Sequence, residues 1–161
     1  MSGIYVHIPF CKSRCKYCDF FSTTHLEKQT QYTEAVLSEW SDRRKELMGG
    51  IQTIYIGGGT PSTMSVELLK RIIGAIKPDT QDAEIEVTIE ANPGDITLEK
   101  ARAWRALGIN RLSIGIQSFN DHLLQLLGRR HNGLEAIQAV KNAQSAGFDN
   151  ISIDLMYALP S

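Results

Sequence analysis

No apolar run in the 161-residue chain reaches the ~20 residues needed to cross a bilayer. The start, Met1-Ser2-Gly3, has neither a basic segment nor a small-residue cleavage site. Nothing there directs export, and a cytoplasmic chain is the expectation. An excess of one charge is missing too, with 17 Lys and Arg against 18 Asp and Glu. A nucleic-acid binder normally carries a basic surplus, so that class is excluded. The one dense basic run, Arg43-Arg44-Lys45, is flanked by Asp42 and Glu46 and reads as a solvated helix face. No low-complexity segment or linker divides the chain. Hydrophobic residues make up 42%, which argues for one folded domain over disorder. Cysteine is scarce: Cys11, Cys15 and Cys18 are the three, all in one short segment. An odd, crowded trio makes a poor disulfide framework and points instead to metal binding.

Five apolar, β-branched runs are present, at 4–10, 53–56, 85–90, 111–116 and 151–157. They read as continuous apolar strands covered on both faces. Helical patterns lie between them. Segment 29–48 carries Tyr32, Val36, Trp40 and Leu47, and Val66, Leu69, Ile73 and Ile76 form a cleaner stripe. Thr97 caps a third helix that Gly108 ends, and Asn120 caps a short fourth that Gly128 stops. Leu134, Ile137 and Val140 line a fifth helix, closed by Gly147. Alternating strands and helices predict an α/β fold with a parallel sheet and helices on its outer side. The last strand is followed only by Pro160-Ser161, so the expectation is a partly uncovered edge and the first part of a longer protein.

The strongest chemical signal is Cys11-Lys12-Ser13-Arg14-Cys15-Lys16-Tyr17-Cys18, a C-x3-C-x2-C loop directly after the first strand. Three thiolates can hold three irons of a 4Fe-4S cluster and leave the fourth open for chemistry. Lys12, Arg14 and Lys16 favour thiolates over thiols. The competing reading is a structural zinc knuckle, which needs a fourth ligand; His7 and His25 are the local candidates. His7, alone on a strand face with Tyr5, reads better as a hydrogen-bonded residue than as a ligand.

Polar groups also follow the other strands. Gly57-Gly58-Gly59-Thr60-Pro61 ends the second and lets an anionic group approach its backbone. Glu90-Ala91-Asn92-Pro93 ends the third, Gln117-Ser118 follows the fourth, and Asp154 sits within the fifth. Asp154, on an apolar strand, is read as buried and in need of partners. Arg129, after Gly128, suits a ligand contact and a solvated helix end equally. Ligands of parallel α/β folds gather at the carboxyl ends of strands, where these residues fall.

Together these strings resemble the radical S-adenosylmethionine (SAM) superfamily. The match comprises Tyr5-Val6-His7-Ile8-Pro9-Phe10-Cys11, the cysteine loop, 57–61, Ile89-Glu90-Ala91-Asn92-Pro93, Gly115-Ile116-Gln117-Ser118-Phe119 and Asp154-Leu155-Met156-Tyr157-Ala158-Leu159-Pro160. Within the superfamily they are most similar to the branch of oxygen-independent coproporphyrinogen III oxidases (HemN) and heme chaperones (HemW). The resemblance implies a partial (β/α) TIM barrel of six strands, five of them in this chain, with a C-terminal domain beyond it. It assigns Cys11, Cys15 and Cys18 to a 4Fe-4S cluster, and Tyr5, Tyr17, Gly58, Gly59, Thr60, Glu90, Gln117, Arg129 and Asp154 to SAM. It also implies reductive cleavage of SAM to a 5′-deoxyadenosyl radical, with electrons from a separate donor. In the oxidase that radical starts decarboxylation of porphyrinogen propionates. Two departures favour the chaperone, which passes heme to respiratory proteins. Position 20 is Phe20 where the oxidase carries a further cysteine, and the oxidase's N-terminal arm has no counterpart. A third is Ser161, where the family continues Leu-Pro-Gly. The heme-binding residues are expected outside this chain.

Overall fold

Apolar and polar residues alternate along the strands, and this divides the sheet into two unlike faces. A computed structural model describes residues 2–47, 49–77 and 85–159. The strands are β1 (Ser2–Ile8), β2 (Ile51–Gly58), β3 (Glu86–Ala91), β4 (Arg111–Gln117) and β5 (Asn150–Leu155). All pair in parallel, in the order β1-β2-β3-β4-β5. The helices are α1 (Gln29–Arg43), α2 (Val66–Ile76), α3 (Leu98–Ala106), α4 (Asp121–Leu127) and α5 (Gly133–Ser145). A sheet in strict chain order with right-handed crossovers keeps its helices on one face. Val6, Ile8, Ile54, Ile56, Val87, Ile89, Leu112 and Ile114 bury into that layer with Leu69, Ile72 and Trp104.

The opposite face is polar, which corrects the reading of the strands as apolar on both sides. Tyr5, His7, Tyr55, Thr88, Glu90, Ser113, Gly115 and Asp154 alternate with the core residues. Register lines them up in rows, with Glu90 beside Ser113 and Gly115 beside Asp154. A face turned inward on a partial barrel holds ligand chemistry rather than helices, so it does not have to be apolar.

Most helix boundaries follow local chemistry. Ser65, Thr97 and Asn120 cap α2, α3 and α4 by accepting from backbone N–H groups, and Asn132 with Glu135 forms a capping box at α5. α1 stops at Arg43 and continues as a 3-10 turn, Arg44–Glu46; the expected end at Met48 lies outside the described residues. Arg43 pairs with Glu39 at 2.8 Å on an exposed face, as its flanking charges indicated.

Two further findings concern the far edge. β5 exposes Ile153 and Leu155 on the helix side, in line with the expected uncovered edge; Pro160 and Ser161 lie outside the described residues. The buried face of α5 is not the expected one. Gly133, Ala136, Ala139 and Ala143 are buried, while Leu134 is 79% and Ile137 44% exposed. Small residues let α5 lie close against α3 and the turn after β3, where Asn142 Nδ2 donates to Ile96 O at 2.9 Å. Leu134→Ser is therefore expected to change unfolding free energy by less than ~0.5 kcal/mol. Ala139→Leu overpacks the interface and costs about 1–3 kcal/mol. Denaturant unfolding of the two variants checks the assignment.

Candidate functional site

The cysteine loop leaves β1 and is tied back at both ends. Cys11 N–H donates to Thr23 O (2.9 Å), Thr23 N–H to Pro9 O (2.7 Å), and Lys16 N–H to Leu127 O at the end of α4 (3.0 Å). Cys11 is buried, Cys15 half-buried and Cys18 exposed, and all three are free thiols. They line one cavity of about 180 Å³ at the carboxyl ends of the strands. The thiols do not converge on a single ion: among the described residues no three His, Cys, Asp or Glu side chains are placed to hold one. A zinc knuckle requires such convergence, with each thiolate about 2.3 Å from the metal. Thiols distributed around a cavity suit a cluster in which each iron takes one of them. His7 is engaged elsewhere, hydrogen-bonded to Tyr5 OH (3.2 Å) and Phe21 O (3.0 Å), and His25 pairs with Glu27.

The same cavity takes in Tyr17, Gly58, Gly59, Thr60, Glu90, Gln117, Arg129 and Asp154. Gly59 packs so tightly that a Cβ there would stand 3.0 Å from Cys11 Sγ and 2.9 Å from Pro9 C. Gly58 has φ +118°, and a Cβ would meet the His7 ring at 2.8 Å, so only glycine fits this turn. The turn brings Thr60 Oγ1 to 3.3 Å from Cys11 Sγ. Glu90 accepts from Gly58 N–H (3.0 Å) and from Tyr55 OH (2.8 Å), and burial followed by that hydrogen bond pushes the Tyr55 phenol up to about 12.

Tyr5 is the one expected residue outside this cavity. Its ring stacks on Tyr55, centroids 6.0 Å apart, and connects to the site through Tyr55 and Glu90 and through His7, which packs on Gly58. The expectation of a buried Asp154 is corrected as well. β5 is the sheet edge, so the residue is exposed, although its carboxyl lines the cavity. Partial burial there raises its pKa against the lowering effect of Arg129.

Arg129 brings a cation into contact with one of the thiols. Nη1 lies 3.4 Å from Cys15 Sγ and 3.4 Å from Tyr17 OH, Nη2 donates to Gly115 O, and buried Nε has no partner. Lys12 and Arg14, expected to support the thiolates, are committed elsewhere: Lys12 to Asp95 at 2.7 Å and Arg14 to Ser22. Gln117 reaches the cavity by a device with no sequence signal. A bulge between Gly115 and Gln117 breaks the register with β5, and Gln117 takes φ 68°. Such left-handed, non-glycine residues are uncommon and gather at functional sites.

His131 supports that bulge and was not singled out from the sequence. It is 4% exposed, and its Nε2–H donates to Ile116 O at 3.1 Å while buried Nδ1 has no partner. Protonation would place an unpaired charge inside, so burial, then Arg129, lowers its pKa to about 4. The unfolded imidazole titrates near 6.5, so the native state binds fewer protons between these values. Stability from this group is complete above pH ~6.5 and declines as pH falls toward ~4. His131→Gln should show a flatter decline than the parent between pH 7 and 4.5, by roughly 2–3 kcal/mol in unfolding free energy.

The family model for the radical SAM superfamily matches residues 5–161. The chain belongs to the radical SAM superfamily. Among curated relatives, the heme chaperone HemW of Lactococcus lactis is 42% identical over 99% of this chain and 42% of its own length. Escherichia coli HemW is 38% identical over 98% of the chain and 43% of its own length. Among solved structures, E. coli coproporphyrinogen III oxidase HemN, described as a radical SAM enzyme, superposes with TM-score 0.89 at 33% identity. That match covers 98% of this chain and 37% of HemN. The radical SAM chain thus spans about two fifths of the length of each of these relatives. Superfamily membership implies a 4Fe-4S cluster and SAM. The residues fit both: three free thiols line a cavity that the Arg129 guanidinium also lines, and its buried Nε has no partner. Among the described residues, no helix is long and apolar enough to cross a membrane.

Proposed function

We propose that this chain is the cluster- and SAM-holding part of a HemW-type heme chaperone acting in the cytoplasm. The observation that carries the reading is the shared cavity, with Cys11, Cys15 and Cys18 beside Glu90, Gln117, Arg129 and Asp154. In that assignment the three thiolates hold the cluster by three of its irons. When bound, the cluster and SAM supply one-electron, radical-generating chemistry. Arg129 orients a carboxylate through its guanidinium and keeps its charge beside Cys15. Glu90 accepts from an ammonium group while anchored by Tyr55 and Gly58. Gly59 lets its backbone pack against Pro9 and Cys11 and so seats the cysteine loop, and Asp154 accepts from a hydroxyl or amino group at the open edge.

Phe20 favours the chaperone over the oxidase. It lines the cavity at the position where the oxidase carries a further cysteine, so an apolar ring stands in place of a thiol. The curated HemW relatives agree with that choice. The oxidase is the second reading, favoured by the superposition on HemN. Because the relatives are longer, the sixth strand and the heme-binding residues are assigned to parts of the full protein beyond these residues.

Heme titration and porphyrinogen turnover separate the two readings in the full-length, cluster-loaded protein. The chaperone reading expects stoichiometric heme uptake by absorption and no protoporphyrinogen from coproporphyrinogen III under anaerobic, reducing conditions. Turnover without heme uptake would replace it with the oxidase. An electron donor and a heme-receiving respiratory protein are the partners it implies.

A further inference from the structure

Asp95, in the 3-10 turn Pro93–Asp95 after β3, is a buried carboxylate outside the candidate cofactor cavity. Its side chain is 1% exposed, and a charge so placed persists only when paired. Three donors from three other loops meet it. Lys12 Nζ lies 2.7 Å from Oδ1, while Arg130 Nη2 (3.1 Å) and Ser62 Oγ (2.9 Å) donate to Oδ2. Lys12 follows Cys11, Arg130 follows Arg129, and Ser62 lies two residues after Thr60, whose hydroxyl meets Cys11 Sγ. Ser62 Oγ also accepts from Asn92 N–H at 3.0 Å, next to the Glu90 loop. Burial alone would raise the Asp95 pKa, but the bonds from Lys12, Arg130 and Ser62 hold it below the usual carboxylate range. Lys100, whose Nζ donates to Ser62 O, adds a further cation nearby.

We propose that Asp95 is a positioning residue that fastens the loops after β1, β2 and α4 to the loop after β3, setting the cysteine loop in place before any cofactor arrives. Its importance for cofactors rests on the function proposed above, but the anchoring itself does not. Asp95 acts through Lys12 and Arg130 rather than by touching a ligand. One ion pair at Lys12 decides how closely Cys11 stays packed under Gly59.

The test uses the full-length protein without cofactors and reads the rate at which iodoacetamide alkylates Cys11, by peptide mass spectrometry. Asp95→Asn keeps the shape but removes the charge. Lys12→Met removes a partner at a half-exposed side chain and leaves Asp95 bonded to Arg130 and Ser62. Both variants are expected to raise Cys11 alkylation by about tenfold, since losing a charge-assisted bond frees the loop to open. The double variant should add little to either single one, because both break the same link. A direct charge effect on the thiol would act oppositely, speeding Asp95→Asn and slowing Lys12→Met. Ile76→Val, which thins the core at the far end of α2 from both the loop and the Asp95 turn, should leave the Cys11 rate unchanged.

Opposite shifts in the two variants, or none in either, would overturn the proposal. In reconstituted protein, both variants should also lose iron to a chelator faster than the parent. If no variant and no parent takes up iron and sulfide, the cofactor reading fails while the alkylation result still decides the anchoring.

Discussion

Cys15→Ser is expected to abolish cluster uptake, taking iron from about four per chain to near zero after anaerobic reconstitution, together with the visible absorption. A cluster held by three protein thiolates has no spare ligand. In the proposed assignment Cys11 and Cys18 are the other two, and His7 and His25 are already bonded to Tyr5, Phe21 and Glu27. Cys15 is half-buried, and its side chain is approached by Arg129 Nη1 at 3.4 Å. Serine keeps the size of the side chain, so the melting temperature of the cofactor-free protein should stay close to that of the parent. Iron and sulfide assays with a melting curve therefore separate loss of a ligand from loss of the fold. A Cys15→Ser protein with full cluster content would remove the loop from the cofactor assignment.

Arg129→Ala should leave cluster content intact and weaken SAM binding by roughly 10–100-fold, the range of a charge-assisted hydrogen bond left unmade. Nη1 serves Cys15 and Tyr17, Nη2 serves Gly115 O, and the Nε–H has no partner. Lysine has no planar fork to divide in this way, so Arg129→Lys should recover little of the affinity. Titration of the reconstituted variants with SAM by electron paramagnetic resonance measures this directly. Unchanged affinity in Arg129→Ala would mean that the guanidinium serves the loop rather than the ligand.

The fold was legible because strands and helices carry local signals: β-branched runs, Thr97 and Asn120 as caps, Gly128 as a stop. The helical face of α5 was misjudged because periodicity weighs Leu134 and Ile137 above alanines, whereas close helix packing selects Ala136, Ala139 and Ala143. Beyond β1, where Tyr5 and His7 share a face, two-faced strands look mostly apolar because an inward-turned polar face resembles interruption until the sheet curves around it. The residues of the site were found wherever they follow a strand directly, as Glu90 and the 57–61 turn do.

What stayed hidden depends on distant parts of the chain. Arg129 meets Cys15 across 114 positions, and Lys12 meets Asp95 across 83. No local pattern reports such pairs, and so Lys12 was assigned to the thiols instead of to Asp95. The bulge that turns Gln117 inward arises from pairing with β5, the buried His131 beneath it is held by Ile116 O, and neither is visible in a window of neighbours.

The most direct measurement is electron paramagnetic resonance of the anaerobically reconstituted, reduced protein, recorded with and without SAM. The account predicts a 4Fe-4S signal that shifts on addition of SAM, because three thiolates leave one iron open beside the Arg129 and Glu90 pocket. A colourless protein that takes up one zinc, or a cluster whose signal ignores SAM, would contradict it.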